Sequence, residues 1–143
     1  MTGPQAEAVL GPDDIDRLSA HGRVEAIGRR GVVPLDGPTI AIVIGGYFRV
    51  FRNAAFVRDV TLGIASRGDV LAASAAFGER SAETGAEALA DGHMLLLSPD
   101  AWTLCAAAQP DLSLKSAAAV GKRISRLQKK LEQLSRAGVA GRV

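Results

Sequence analysis

A single cysteine, Cys105, stands in a chain of 143 residues. It excludes a disulfide within the chain and a four-cysteine cluster in one copy, and it fits a reducing compartment. Aromatic residues make up only 4% of the chain. Any core must therefore rest on Val, Leu, Ile and Ala, and a surface of interleaved rings for stacking single-stranded nucleic acid is not expected. His21, His93 and Cys105 are the only soft metal ligands, and no close spacing joins them. His93 reads as a satisfied structural residue on a strand. No apolar run is long enough to cross a bilayer, and Met1 to Gln5 lacks the basic and apolar regions of a signal peptide. A cytoplasmic location and no membrane partner are expected. No nucleophile–base pair or pair of carboxylates stands out, which argues against an enzyme.

What is present is an ample hydrophobic content of 48%, enough for one domain or one domain with an appended element. Residues 1 to 12 read as a mobile leader. Asp13 is the expected N-cap of a short helix ending near Ala20. Gly28, Gly31, Pro34, Gly37 and Pro38 break the next stretch into short strands and tight turns. Ile40 to Ile44 is a continuous β-prone run and reads as a buried strand. Phe48–Arg52 and Val57–Ile64 follow as a pair. Glu87–Leu89 and His93–Leu97 supply later strands, with Asp91-Gly92 expected as a hairpin turn. Ser98 is the expected N-cap of another helix, with Pro99 at its first position. Many short strands with glycine-rich turns point to a jelly roll or small barrel.

After Pro110 comes a helical pattern. Val120, Ile124, Leu127, Leu131 and Leu134 recur at alternating spacings of four and three, which is a heptad seam. Ile and Leu in these roles favour a parallel two-stranded coiled coil. The same stripe fits a helix packed on its own domain. Lys115, Lys122, Arg123, Arg126, Lys129, Lys130 and Arg136 make that helix basic, against Glu132. A basic face binds nucleic-acid phosphates or is simply solvated.

The stretch Gly68 to Ala82 reads as a phosphate cassette. Gly68-Asp69 supplies a turn after a strand. Leu71 to Phe77 is a run of small apolar residues, including Ala72 and Ala73, expected as a short helix whose N–H groups approach an anion closely. Arg80 offers a planar fork for phosphate and Ser81 a hydroxyl. The competing arrangement pairs Arg80 with Glu79 or Glu83.

The order of these features resembles the catabolite-activator and fumarate–nitrate regulator family of bacterial transcription factors. The cassette carries the resemblance together with Val43–Arg52, Asp13–Leu18, and Gln109-Pro110-Asp111-Leu112 leading into the long helix. It implies a mainly β fold with flanking helices, a double-stranded β-helix of the jelly-roll, cyclic-nucleotide-binding-like kind, followed by a long C-terminal dimerisation helix. The implied organisation is an N-terminal helix plus β-roll over 1–109, a dimerisation helix over 110–137, and a hinge at 138–143 toward a helix-turn-helix domain absent from this chain. A sensor-domain fragment is expected rather than a naturally short protein.

The resemblance implies ligand contacts from Arg80, Ser81, Arg123, Ala72 and Ala73, and a homodimer interface through Val120, Ile124, Leu127, Leu131 and Leu134. DNA would be bound through the absent helix-turn-helix. Two departures bear on the effector. Ala72-Ala73 stands where the family's nucleotide binders carry Gly-Glu, and Leu127-Gln128 stands where cyclic-AMP receptors use hydroxyl side chains. A lost hydrogen bond to a buried ligand hydroxyl costs about 1–3 kcal/mol. Binding of cyclic AMP in the usual mode is therefore not expected. The function implied is the effector-sensing and dimerisation domain of a bacterial regulator, with a cyclic nucleotide or other anionic effector. The alternatives are a ligand-free constitutive dimerisation module and a haem-based gas sensor; haem is disfavoured, and no metal site is expected.

Overall fold

The computed structural model describes residues 10–53, 59–72 and 83–109, together with 111, 129, 132 and 133. Helix α1 (Pro12–Ser19) is followed by strands β1 (Arg23–Ile27), β2 (Val32–Pro34), β3 (Ile40–Gly45), β4 (Phe48–Arg52), β5 (Val60–Ala65), β6 (Val70–Leu71), β7 (Gly85–Ala88) and β8 (Gly92–Leu97), then helix α2 (Pro99–Ala108). The strands form two four-stranded antiparallel sheets, ordered β1-β8-β3-β6 and β2-β7-β4-β5. This is the expected mainly β roll with flanking helices.

Alternation along β3 and β8 explains why the centre of the first sheet is buried on both sides, whereas its edge strand β1 has no fully buried residue. Ile40 lies opposite Leu97 and Ile42 opposite Leu95, and these four belong to a cluster with Ile15 and Leu18 of α1 and Trp102 and Cys105 of α2. Ala41 and Val43, with Met94 opposite Val43, belong instead to the cluster between the two sheets. There they meet Val33, Phe48, Val50, Ala65, Ala86 and Ala88. Alanines let the sheets approach closely around Phe48, which is how a roll closes with so few aromatic rings. Each large side chain buried here contributes about 1.5–3 kcal/mol by leaving water.

Both helices begin where proline sits at the first position. Ser98 Oγ accepts the Ala101 N–H at 3.1 Å, as its N-cap role requires. Spacing of three places Trp102 and Cys105 on one buried face. The helix stops at Ala108, and Gln109 is extended, as a residue preceding proline prefers. In α1 the cap is Gly11, not Asp13: the carboxylate of Asp14 reaches back to accept the Gly11 N–H at 2.9 Å. The leader expectation also fails at Leu10, which is buried and donates its N–H to Gly68 O at 3.0 Å.

Asp91-Gly92 is not a hairpin turn. β7 and β8 lie in different sheets, so the chain crosses between layers at this point. The β3–β4 connection makes the opposite crossing, and the two pass in contact. A Cβ on Gly92 would lie 2.6 Å from Gly45 O, and one on Gly46, whose φ is +86°, would lie 2.9 Å from Gly92 Cα. The Asp91 carboxylate instead accepts the Arg29 N–H at 2.8 Å. Two strand boundaries also differ from expectation: β5 is Val60–Ala65 and β7 is Gly85–Ala88. The dimerisation helix, the seam and the hinge lie almost wholly outside the described residues, of which Asp111, Lys129, Glu132 and Gln133 are helical.

Candidate effector-binding site

The cassette opens on a tightly pinned turn. Gly68 has φ +88°, a conformation that glycine adopts without a Cβ clash. Asp69 closes the turn through its own N–H to Ser66 O at 3.0 Å and its carboxylate to the Ser66 N–H at 2.8 Å. Gly68 N–H donates to Val43 O at 2.8 Å, and Val43 N–H to Asp69 O at 3.0 Å, so the turn is locked onto β3. β6 then pairs with β3, Val70 opposite Ile42 and Leu71 opposite Ala41.

The expected helix does not begin at Leu71, which is the last residue of β6. Ala72 follows with φ +57°, in the left-handed region. A residue with a Cβ loses about 1–2 kcal/mol there, so its surroundings must hold it. They do so through Glu83, whose Oε1 accepts the Ala72 N–H at 3.0 Å. Ala72 is 1% exposed and Glu83 4%. A carboxylate this deep needs charge-assisted partners, and a buried amide needs an acceptor; each supplies one to the other.

Thr84 fixes the backbone beside Glu83. Its N–H donates to Phe51 O at 2.9 Å, its carbonyl accepts the Leu35 N–H at 2.9 Å, and its hydroxyl accepts the Asn53 N–H at 2.8 Å. The Ala72–Glu83 contact therefore ties the end of β6, in one sheet, to the approach to β7, in the other. From the sequence, Glu83 stands out only as a partner for Arg80. The available signal is a charged residue two positions before the small residues Gly85-Ala86.

Of the expected ligand contacts, Ala72 alone is described. Ala73, Arg80, Ser81 and Arg123 lie outside the described residues, as do Val120, Ile124, Leu127, Leu131 and Leu134 of the seam. His21 and His93 are exposed, His93 on β8 as expected, while Cys105 is buried on the face of α2 that it shares with Trp102. Among the described residues no group of three or more His, Cys, Asp or Glu is arranged to hold a metal ion.

Two other polar features occur elsewhere. On the outer face of the second sheet, Arg49 Nη2 meets Glu87 Oε1 at 2.8 Å and Nη1 meets Asp59 Oδ1 at 2.5 Å, with the guanidinium 5.1 Å from the Phe51 ring centre. The hydrogen bonds to Asp59, then Glu87, push the Arg49 pKa up. This arginine is committed within the fold and is not an anion site. Between the edge strands β1 and β2 lies a cleft of about 280 Å³, lined by Arg23, Glu25, Ile27, Val33, Asp36 and Leu96 among others, none of them from the cassette. Among the described residues no helix is long and apolar enough to cross a membrane.

The two-sheet roll with its pinned cassette turn has clear structural counterparts. Over 88% of its length the chain superposes on the catabolite activator protein of Thermus thermophilus, with a TM-score of 0.69 and 19% identity. Over 87% it superposes on CLP, the c-di-GMP-responsive global regulator of Xanthomonas campestris, with a TM-score of 0.72 and 18% identity. This chain has the effector-domain fold of the catabolite-activator type. The heme domain of CooA from Carboxydothermus hydrogenoformans shares that fold as well, with a TM-score of 0.65 and 15% identity over 86% of this chain and 87% of that one. The chain spans 61% of the Thermus protein and 65% of CLP. No protein-family model matches the sequence, and no curated protein is significantly similar to it. Within this fold, Ala72 keeps a left-handed backbone at the position where the sequence resemblance places a glycine.

Proposed function

We propose that this chain is the effector-sensing and dimerisation domain of a bacterial transcription regulator, with a cassette that does not take cyclic AMP in the usual mode. The observation that carries this is the effector-domain fold combined with a cassette turn whose buried amide is already held by Glu83. An effector near Arg80, Ser81 and Arg123 would bias the seam helix, and the helix would set the spacing of two DNA-binding heads. Such an effector shifts the two arrangements only by its differential affinity for them. The DNA-binding part would lie beyond this chain, and two copies would join through Val120, Ile124, Leu127, Leu131 and Leu134.

Calorimetric titration with cyclic AMP, cyclic GMP and cyclic di-GMP tests the cassette. Cyclic AMP is expected not to bind below millimolar concentration; micromolar binding would contradict a degenerate site. A second reading, a ligand-free dimerisation module, draws support from the same Ala72–Glu83 contact, because the turn is complete without a ligand. Silence from all three nucleotides, in a chain that dimerises, favours that module.

A further inference from the structure

We propose that the turn between β1 and β2, with the strand ends beside it, is a docking surface for an acidic, amphipathic segment of another protein. No residue of the cassette or the seam takes part, so this surface does not depend on an effector. The turn is Gly28-Arg29-Arg30-Gly31, closed by the Gly31 N–H donating to Gly28 O at 2.8 Å. Its third residue, Arg30, has φ +71°. That position of a turn ordinarily takes glycine or asparagine. Glycine stands on either side of the arginine pair, yet the left-handed position itself carries a long charged side chain. Such a backbone costs free energy and persists only where its surroundings fix it.

Here they fix it without using the arginine side chains. Arg30 N–H donates to Ala88 O at 2.8 Å, Ala88 N–H to Gly31 O at 2.9 Å, and Arg29 N–H to the Asp91 carboxylate at 2.8 Å. Both arginines are exposed. Among the described residues neither guanidinium meets a carboxylate, whereas Arg23 pairs with Glu25, and Arg49 with Asp59 and Glu87. The fold thus holds two adjacent arginines in a rigid frame and leaves both planar forks open to carboxylates.

The sheet beside this turn is apolar on the side turned away from the core. β2, β7 and β4 are neighbours, and Val33, Ala88 and Phe48 face the cluster between the sheets. Alternation sends Val32, Leu89 and Tyr47 outward, where they are 54%, 44% and 60% exposed. Leu89 N–H donates to Tyr47 O at 2.9 Å, so these side chains step from the arginine turn across three strands. The solvent face of an antiparallel sheet is ordinarily polar. Arginine and tyrosine beside aliphatic side chains make instead the composition of a protein–protein contact. Glu87, on the same face, is already matched by Arg49 at 2.8 Å. The occupant must therefore bring carboxylates to Arg29 and Arg30 and apolar side chains to Val32, Leu89 and Tyr47. A nucleic-acid backbone brings phosphates without that apolar counterpart. A second copy brings Asp13 and Asp16 of α1, but Ile15 and Leu18 of that helix are buried.

The test titrates the full chain into a labelled helical peptide with Glu on one face and Leu on the other, read by fluorescence anisotropy. The same peptide with Lys for Glu and a short random DNA duplex are the comparisons. The Glu peptide should bind at submillimolar concentration, and the Lys peptide at least tenfold more weakly. Arg30→Gly should weaken the Glu peptide at least fivefold while the urea midpoint holds or rises, because glycine suits the turn. A merely structural arginine would give a lower midpoint and unchanged binding. Leu89→Ser should weaken the Glu peptide at least threefold. If R30G does not fold, Arg29→Ser decides, since it leaves the backbone bond to Asp91 in place and should also cost fivefold. No binding, equal binding of the two peptides, or affinity unmoved by these variants overturns the proposal. Tighter binding of the duplex than of the Glu peptide overturns it in favour of nucleic acid.

Discussion

The amide of Ala72 and the carboxylate of Glu83 meet at 3.0 Å across the end of the roll, joining a left-handed turn in one sheet to the approach to β7 in the other. The turn keeps the backbone shape that glycine would adopt freely, although the residue carries a Cβ.

Replacing Ala72 with glycine should therefore stabilise the domain. Relief of the left-handed strain, about 1–2 kcal/mol, outweighs the added flexibility of the unfolded chain, about 0.4–1 kcal/mol. Urea denaturation should show a net gain of about 0.5–1 kcal/mol with an unchanged slope. A loss would mean that Ala72 is not held in that conformation.

Gly92→Ala should do the reverse. Its new methyl group would stand 2.6 Å from Gly45 O and 3.2 Å from the Phe48 ring, where the two sheet crossings touch. Overpacking against backbone costs about 1–3 kcal/mol. The midpoint in urea should fall accordingly, whereas Gly28→Ala, which meets nothing within 4 Å, serves as the reference.

Burial pushes the Cys105 thiol pKa up. The folded chain then holds that proton more tightly than the unfolded chain, so stability falls with rising pH. The contribution is intact below the ordinary thiol value of about 8.5 and is lost as pH climbs through the higher folded value. Cys105→Ala should flatten this decline, and labelling of the native thiol at pH 8 should be much slower than in urea.

The parts legible in sequence were those decided by near neighbours. Ile40–Ile44 declared a buried strand by composition alone, and Ser98-Pro99 declared a helix start because cap and first residue are adjacent. Gly68-Asp69 likewise carried its own turn. Leu10 was missed because a lone leucine before a helix has no periodicity to reveal its burial. Asp91-Gly92 has the chemistry of a reversal, but no local signal tells whether the chain returns beside its own strand or crosses to another sheet. Asp14 won over Asp13 at the start of α1 because its carboxylate reaches backward to Gly11. Glu83 escaped because its partner is a backbone amide eleven residues earlier, brought near only when both sheets close.

The most direct measurement is sedimentation equilibrium of the chain and of Ile124→Lys. A dimer is expected for the unaltered chain and a monomer for the variant, with the β-sheet circular dichroism of the roll retained, because a lysine in the seam would have to bury its charge against a second copy. A monomeric unaltered chain, or a dimer indifferent to the lysine, would contradict a domain joined through its C-terminal helix.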